Sequence, residues 1–393
     1  MTRIPGSRFL HSPGPTHIPE EVLNAMHRQP MDHGDPRLDQ VIAAIDGGVK
    51  LLLQTSAADL YMYASNGHGA WEATIENLVA PGQTVLIPGT GHFSESWAVQ
   101  AEALGRRVIR TPCRLGYPID ANDLEQVLRA DAKREIAAVF AVHTDTASST
   151  TNDLGALRAA IDAAGHPALF VADVIASLAA APFAMDALGV NVALGASQKG
   201  LMSPPGMAFV AVDRRAGEIA ARNPAPRFYW DWTRRKGDLS YRKFCGTPPQ
   251  NLLFGIEAAL SLLFLEGVDA VIARHALLAR AVHAAVECWS RAGAVTFHCR
   301  VPAARSVSVT TIETRAGIDP EAIRTVARER FQVAIAGGLG PQTGRAFRIG
   351  HLGNLNSAMI LGCLAGVEAA MQVQGIPFGR GGMEMAIASL AEG

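Results

Sequence analysis

Two polar residues follow apolar runs at positions where an open parallel sheet would gather its ligands. Asp173 ends the run Ala168–Ala172, and Lys199 comes shortly after the run Val192–Gly195. Ligands bind outside the carboxyl ends of the strands in such sheets. Either residue alone has an ordinary interpretation, since an Asp can cap the next turn and a Lys at the edge of a core can reach solvent. Together they predict a carboxylate and an amine in one cleft.

This pair matches the requirements of pyridoxal 5′-phosphate (PLP). The cofactor needs a lysine for a Schiff base and an acid beside its ring nitrogen. Lys199 would provide the amine and Asp173 the acid. The sequence Ser203-Pro204-Pro205-Gly206 excludes a regular helix after the lysine and favours a rigid turn.

A glycine-containing segment could bind the phosphate of such a cofactor. Ser65-Asn66-Gly67-His68-Gly69 follows an expected strand at Leu60–Tyr63 and opens an expected helix. Backbone N–H groups at a helix N-terminus bind phosphate, and glycines allow it to come close. The segment is not a dinucleotide fingerprint, because Glu72 stands where the third glycine would be.

Motifs along almost the whole chain resemble the class V aminotransferases of PLP fold type I, in the serine–glyoxylate and alanine–glyoxylate branch. The most specific strings are S-Q-K-G-L-M at 197–202, followed by P-P-G at 204–206, and F-R-I-G-H-L-G at 347–353. Further matching strings are Pro13-Gly14-Pro15-Thr16, Gly69-Ala70-Trp71-Glu72-Ala73, Gly91-His92-Phe93, Asp173-Val174-Ile175-Ala176-Ser177 and Thr247-Pro248-Pro249. The resemblance implies an aminotransferase that acts on small amino acids and 2-oxo acids such as glyoxylate or pyruvate.

The resemblance also implies roles for individual residues. Lys199 and Asp173 keep the roles given above, and Phe93 would stack on the pyridine ring. Thr146 would lie near the phenolic oxygen of the ring. Phosphate contacts would come from Asn66, Gly67, His68, Gln198 and, donated by the other subunit, Thr247.

On the substrate side, the resemblance implies that Arg348 pairs with the substrate carboxylate and that Gly14 is a second substrate-binding residue. A guanidinium in the apolar strand Phe347–Ile349 would be costly without an anion. The assignment of Thr247 to the neighbouring active site implies a homodimer with shared sites.

The sequence departs from its nearest relatives around the cofactor and the amino donor. Asn66-Gly67-His68 replaces a usual Ser-Gly-Thr, and Gly34 replaces an arginine. The segment His143-Thr144-Asp145-Thr146 replaces a His-Asn-Glu-Thr. A related branch that acts on pyridoxamine carries an arginine near position 339, where this chain has Leu339. These changes bear on the amino donor more than on the chemistry.

The elements that must hold these residues predict an α/β fold. Short apolar runs alternate with amphipathic stretches, which indicates a mostly parallel sheet flanked by helices. We expect an N-terminal arm at 1–20, a large PLP-binding domain at 21–266 and a smaller C-terminal α+β domain at 267–393. Expected strands are Thr84–Ile87, Ile136–Val142, Ala168–Ala172 and Val192–Gly195, and expected helices are 20–53, 69–80, 93–104, 121–131, 152–164, 250–267 and 269–293. Residues 214–246 are expected to be irregular, and 305–375 to read strand, helix, strand, strand, helix.

Composition narrows the class of protein. The formal net charge of −1 and its even distribution argue against a nucleic-acid partner. The five cysteines form no CxxC and fit reduced thiols of a cytoplasmic protein. No segment has the length and apolarity of a membrane span or a signal peptide. The histidines are scattered and no HExxH occurs, so no metal site is expected.

Other readings of the same residues remain open. The lysine and fold could serve a PLP-dependent lyase or aldolase acting on a β-hydroxy amino acid, or a transaminase of the pyridoxamine–pyruvate type. A non-catalytic PLP-fold sensor is a further alternative. The joint presence of Lys199, Asp173 and Arg348 argues against a sensor.

Overall fold

The computed structural model describes residues 5–237 and 239–392. The strands are β1 Phe9–His11, β2 Asp59–Tyr63, β3 Thr84–Ile87, β4 Arg107–Arg110, β5 Ile136–Val142, β6 Thr144–Asp145, β7 Thr150–Thr151, β8 Leu169–Asp173, β9 Val192–Ala196, β10 Ala208–Val212, β11 Val295–Phe297, β12 Val309–Thr314, β13 Val333–Gly337 and β14 Ala346–Gly350. The α-helices are α1 Glu20–Met26, α2 Pro36–Leu53, α3 Gly67–Leu78, α4 His92–Ala103, α5 Ala121–Ala130, α6 Leu154–Ala163, α7 Arg214–Arg222, α8 Ser240–Phe244, α9 Gln250–Glu266, α10 Val268–Ser290, α11 Pro320–Phe331, α12 Ser357–Val373 and α13 Gly382–Ala391.

The large sheet has the strand order β2-β10-β9-β8-β5-β3-β4. Strand β10 is antiparallel to both of its neighbours, and the strands from β9 to β4 pair in parallel. Helices α3, α4 and α7 cover one face, and α2, α5, α6 and α9 cover the other. Burial on both faces explains why the central strands read as continuous apolar runs. The expected α/β fold with a mostly parallel sheet is confirmed.

A second sheet of order β1-β13-β14-β12-β11 packs one face against α10, α11 and α12. The order of elements expected for 305–375 is present from β12 to α12. Strand β1 was not expected: within the proline-rich N-terminal segment, Phe9 pairs in parallel with Val333 and Leu10 with Ala334. The N-terminal residues therefore extend the second sheet.

Helix boundaries differ from the expectation in a few places. The single helix expected over 20–53 is divided into α1 and α2, because Asp35 caps the second helix and Pro36 occupies its first position. Helix α7 lies in the stretch expected to be irregular, and it buries only Ala216 and Ala220 among its described residues. Gly267, with φ of 92°, separates α9 from α10. The domain limits at 20 and 266 remain predictions.

Over the described ranges, no helix is long and apolar enough to cross a membrane. The same part of the chain contains no cluster of His, Cys, Asp or Glu arranged to hold a metal ion.

Candidate active site

Asp173 and Lys199 line one cavity of about 270 Å³. Asp173 is the last residue of β8, and Lys199 follows the end of the adjacent parallel strand β9. Neighbouring parallel strands end at the same edge of a sheet, so the two side chains meet there. The sequence prediction that these residues share a cleft agrees with this geometry.

Residues of the N-terminal segment contact Lys199 and hold it in place. Its Nζ donates a hydrogen bond to the Pro13 carbonyl, and Thr16 Oγ1 donates to the Lys199 carbonyl over 3.0 Å. A Cβ at Gly14, where φ is 119°, would lie 2.5 Å from Lys199 Cδ. Only glycine lets the backbone pass this close to the lysine.

Burial lowers the pKa of Lys199 to about 8, and the positive charge of Arg348 adds to this effect. Asp173 and Asp145 oppose it, because their negative charges favour the ammonium form. With a pKa of about 8, about one lysine in ten is uncharged at pH 7. The amine is therefore much more available as a nucleophile or base than an ordinary surface lysine.

Asp173 is 4 % exposed and is held by donors on both of its oxygens. Trp71 Nε1 donates to Asp173 Oδ2 over 2.9 Å, and the Ile175 N–H donates to Asp173 Oδ1 over 2.8 Å. Burial raises the pKa of Asp173 to about 6, while these hydrogen bonds and the charge of Lys199 limit the rise. The carboxyl group is thus mainly ionised at neutral pH and oriented toward the cavity.

The start of α3 forms another wall of the cavity, lined by Asn66, Gly67 and His68. Asn66 caps the helix: its Oδ1 accepts from the N–H of His68 over 3.1 Å and of Gly69 over 3.4 Å. A Cβ on Gly67 would lie 2.5 Å from Ile175 Cδ1. A phosphate at this helix end would have to share these N–H groups with the Asn66 side chain, and the dipole of the helix would favour it.

Gln198, directly before Lys199 in the chain, also lines the cavity. Its Oε1 is buried and has no hydrogen-bond partner among the residues that the structure describes. A buried polar atom without a partner is costly, so a polar group is expected next to it. This amide, the helix end and the Asp–Lys pair together fit a phosphorylated pyridine that carries an aldehyde.

Phe93 and Thr146 complete the lining of the cavity. Phe93 meets Trp71 edge-on, with ring centroids 6.3 Å apart. The Phe93 N–H donates to Asp145 Oδ2 over 2.8 Å. Both residues therefore lie where they could contact a ligand bound in the cavity.

Arg348 is 6 % exposed and borders the neighbouring cleft, not the cavity of Lys199. Its Nη1 donates to the Thr146 carbonyl over 2.9 Å and its Nε to the Gly337 carbonyl over 2.6 Å. Burial lowers the pKa of Arg348 to about 10, and Asp145 acts against this decrease. The guanidinium therefore contacts the lining of the Lys199 cavity through its hydrogen bond to the Thr146 carbonyl.

The remaining assigned residue, Thr247, is not among the residues that line the cavity. It is exposed and lies between α8 and α9. The structure thus brings together Lys199, Asp173, Asn66, Gly67, His68, Phe93, Thr146, Gln198 and Gly14 around one cavity. Arg348 stands next to them, and Thr247 does not.

Sequence reasoning gave no role to Trp71 or Asp145. Trp71 belongs to a motif that matched the family, but its hydrogen bond to Asp173 joins residues 102 positions apart. Asp145 was noted only as a departure from the relatives. The spacing of residues in the sequence does not predict the hydrogen bond between Trp71 and Asp173 or the one between Phe93 and Asp145.

The comparisons with known proteins agree with this fold and cavity. The serine–glyoxylate aminotransferase of Methylorubrum extorquens is 36% identical over 380 residues, which cover 95% of this chain and 94% of that protein. The L-aspartate–glyoxylate aminotransferase of Paracoccus denitrificans is 37% identical over 93% of this chain and 91% of its own. The crystal structure of pyridoxamine–pyruvate aminotransferase from Mesorhizobium loti superposes with a TM-score of 0.89 at 25% identity, with 100% of both chains covered.

The fold is that of the PLP fold type I transaminases. The sequence model of the class-V aminotransferases matches residues 8–348, and the chain belongs to that family. The family resemblance and the enzyme class expected from the sequence are confirmed.

Proposed function

We propose that the protein uses PLP to move an amino group from a small amino acid to a small 2-oxo acid. The observation that carries this proposal is the pairing of Asp173 and Lys199 at neighbouring strand ends in a single cavity. The relatives that act on serine or aspartate with glyoxylate support the substrate class. Cytoplasmic location belongs to the same proposal and rests on the separated, unpaired cysteines.

Different residues of the cavity would contact different parts of the cofactor. Lys199 would hold its aldehyde carbon, Asp173 its ring nitrogen, Phe93 one face of the ring and Thr146 the phenolic oxygen. Asn66, Gly67, His68 and Gln198 would surround the phosphate. When bound, PLP accepts the electron pair that develops on the substrate α-carbon.

The chain itself would provide the proton transfers. Lys199 Nζ, with a pKa lowered to about 8, would remove the proton from the substrate α-carbon and deliver it to C4′. Asp173, mostly ionised at pH 7, would keep the ring nitrogen protonated. The Trp71 and Ile175 donors would hold the carboxylate in the orientation that this pairing needs.

We assign Arg348 to the substrate carboxylate, and we include Gly14, which lines the Lys199 cavity, among the substrate-binding residues. The guanidinium donates hydrogen bonds to the Gly337 and Thr146 carbonyls. To bind a carboxylate, it would have to share or exchange one of these partners. A planar guanidinium is suited to this because its donors form a fork.

We also propose a homodimer in which Thr247 reaches the phosphate of the neighbouring subunit. Thr247 is exposed and is not among the residues that line the cavity of its own chain, which supports a role outside its own subunit.

The test is a panel of serine, alanine, aspartate and pyridoxamine as donors, each with glyoxylate and with pyruvate, followed by cofactor absorbance. We expect stoichiometric oxo acid from at least one small amino acid in a single turnover. Cleavage of a β-hydroxy amino acid without oxo-acid product would instead support the lyase. Turnover with pyridoxamine and none with amino acids would assign the protein to the pyridoxamine–pyruvate type.

A further inference from the structure

Asp145 is a fully buried carboxylate directly behind the cavity wall, with an exposed fraction of 0%. Its Oδ2 accepts from the Phe93 N–H over 2.8 Å. Its Oδ1 accepts from the Ala147 N–H over 2.8 Å and from the Ser148 N–H over 3.0 Å. Hydrogen bonds from backbone N–H groups to a carboxylate are stronger than those between neutral groups.

These donors belong to separate parts of the chain. Phe93 lies in the first turn of α4, while Ala147 and Ser148 form the turn between β6 and β7. Phe93 and Thr146, one on each side of this junction, line the same cavity. The carboxylate therefore fixes the distance between a side chain proposed to face the ring and one proposed to contact its edge.

The site is shaped for this carboxylate. It lies at the N-terminus of α4, where the helix dipole favours a negative charge. Gly91 precedes the helix, and a Cβ there would lie 2.8 Å from both Asp145 Cγ and Oδ2. The absence of a side chain at position 91 leaves the space that the carboxylate occupies.

We propose that Asp145 is a positioning residue that holds Phe93 in register with Thr146 and so sets the place of the cofactor ring. This inference rests on the proposed function, because it needs a ring to be stacked on Phe93. Asp145 does not line the cavity, so it acts through the residues that do.

Asp145→Asn tests the proposal with little change in shape. The amide oxygen can still accept from Ala147 and Ser148, but the amide nitrogen would face the Phe93 N–H, donor against donor. We expect the dissociation constant for PLP to rise about tenfold, in line with the loss of a hydrogen bond to a charged group. The visible circular dichroism per bound cofactor should also change, because the ring environment becomes less fixed.

Asp213→Asn is the matched control. Asp213 Oδ1 accepts from the Ala216 N–H over 2.7 Å at the start of α7, and its Oδ2 accepts from Asn191 Nδ2 over 2.7 Å. The change creates the same conflict between donors at a site outside the cavity lining. We expect a lower melting temperature with unchanged PLP affinity and dichroism.

Gly91→Ala provides a second variant that displaces the carboxylate and keeps its charge. We expect it to reproduce the weaker PLP binding and the altered dichroism of Asp145→Asn. If both variants lose only thermal stability, as Asp213→Asn does, the positioning role is wrong. The positioning role would also be wrong if Asp145→Asn weakened PLP binding and Gly91→Ala did not. The charge of Asp145, and not its position, would then be responsible. If the unmodified protein takes up no PLP, the proposed function fails first and this inference fails with it.

Discussion

Replacing Trp71 by phenylalanine should raise the pKa of Asp173. The Trp71 indole donates to Asp173 Oδ2 over 2.9 Å and stabilises the ionised carboxyl group, whose pKa is about 6. Phenylalanine keeps an aromatic ring at this position but has no N–H. A hydrogen bond to a charged group contributes about 1.5–3 kcal/mol, which corresponds to a pKa increase of about one to two. Asp173 would then be largely protonated near neutral pH.

The assay is a pH titration of the cofactor-free protein, labelled with ¹³C in the aspartate carboxyl groups. The Asp173 resonance is assigned by its loss in Asp173→Asn. Trp97→Phe is the control: Trp97 stacks on Trp71 with centroids 5.3 Å apart, and its Nε1 has no partner within the described part of the chain. An equal pKa change in both variants, or none in Trp71→Phe, would refute the assigned role of the indole N–H.

Other predictions concern the lysine, the arginine, pH and the dimer. Lys199→Ala should abolish turnover, and borohydride should fix the cofactor of the unmodified enzyme to a peptide that contains Lys199; normal turnover in the variant would contradict this. Arg348→Ala should weaken binding of amino and oxo acids by about 2–5 kcal/mol while PLP still binds. Unchanged KM values with a lower Tm would instead make the arginine structural. Asp173 should lower the stability of the cofactor-free protein by about 2 kcal/mol as the pH rises from about 4 to 6. Burial raises its pKa from 3.8 to about 6, so the folded carboxyl group keeps more of its proton over that range than the unfolded one. Urea unfolding of wild type and Asp173→Asn at both pH values measures this contribution, which should be absent from the variant. Mixing Lys199→Ala with Thr247→Trp should restore activity in hybrid dimers; exchange of subunits without restored activity would count against a shared site.

Local patterns in the sequence were sufficient for most of the large sheet. The bounds expected for Thr84–Ile87 and Ile136–Val142 agree with β3 and β5, because apolar runs covered on both faces end where the chain meets polar residues or glycine. Helix α7 was missed because its charged sequence, with only Ala216 and Ala220 buried, resembles a loop. Strand β1 was missed because three residues in a proline-rich segment show no periodicity.

The candidate site was likewise only partly predictable from the sequence. Asp173 and Lys199 could be placed together from the sequence, because the strand ends of a parallel sheet are a general location for ligands. The hydrogen bonds of Asp173 to Trp71 and of Asp145 to Phe93 depend on how α3 and α4 pack on the sheet. Spacing along the chain contains no information about such contacts. The position of Arg348 beside the cavity, with its donors on carbonyl groups, likewise depends on how the second sheet meets the first.

The pairing of Phe9 with Val333 has a consequence for the order in which a newly synthesised chain can mature. Strand β1 leaves the ribosome before its partner strand, and Val333 follows Phe9 by 324 residues. At 5–20 residues per second, this separation is roughly 16 to 65 s of translation. Until then, Phe9 lacks its partner strand, and β1 cannot help to hold the nearby Pro13 carbonyl that accepts from the Lys199 amine. This part of the lysine pocket is therefore supported by β1 only after Val333 has been made, well after Asp173 and Lys199.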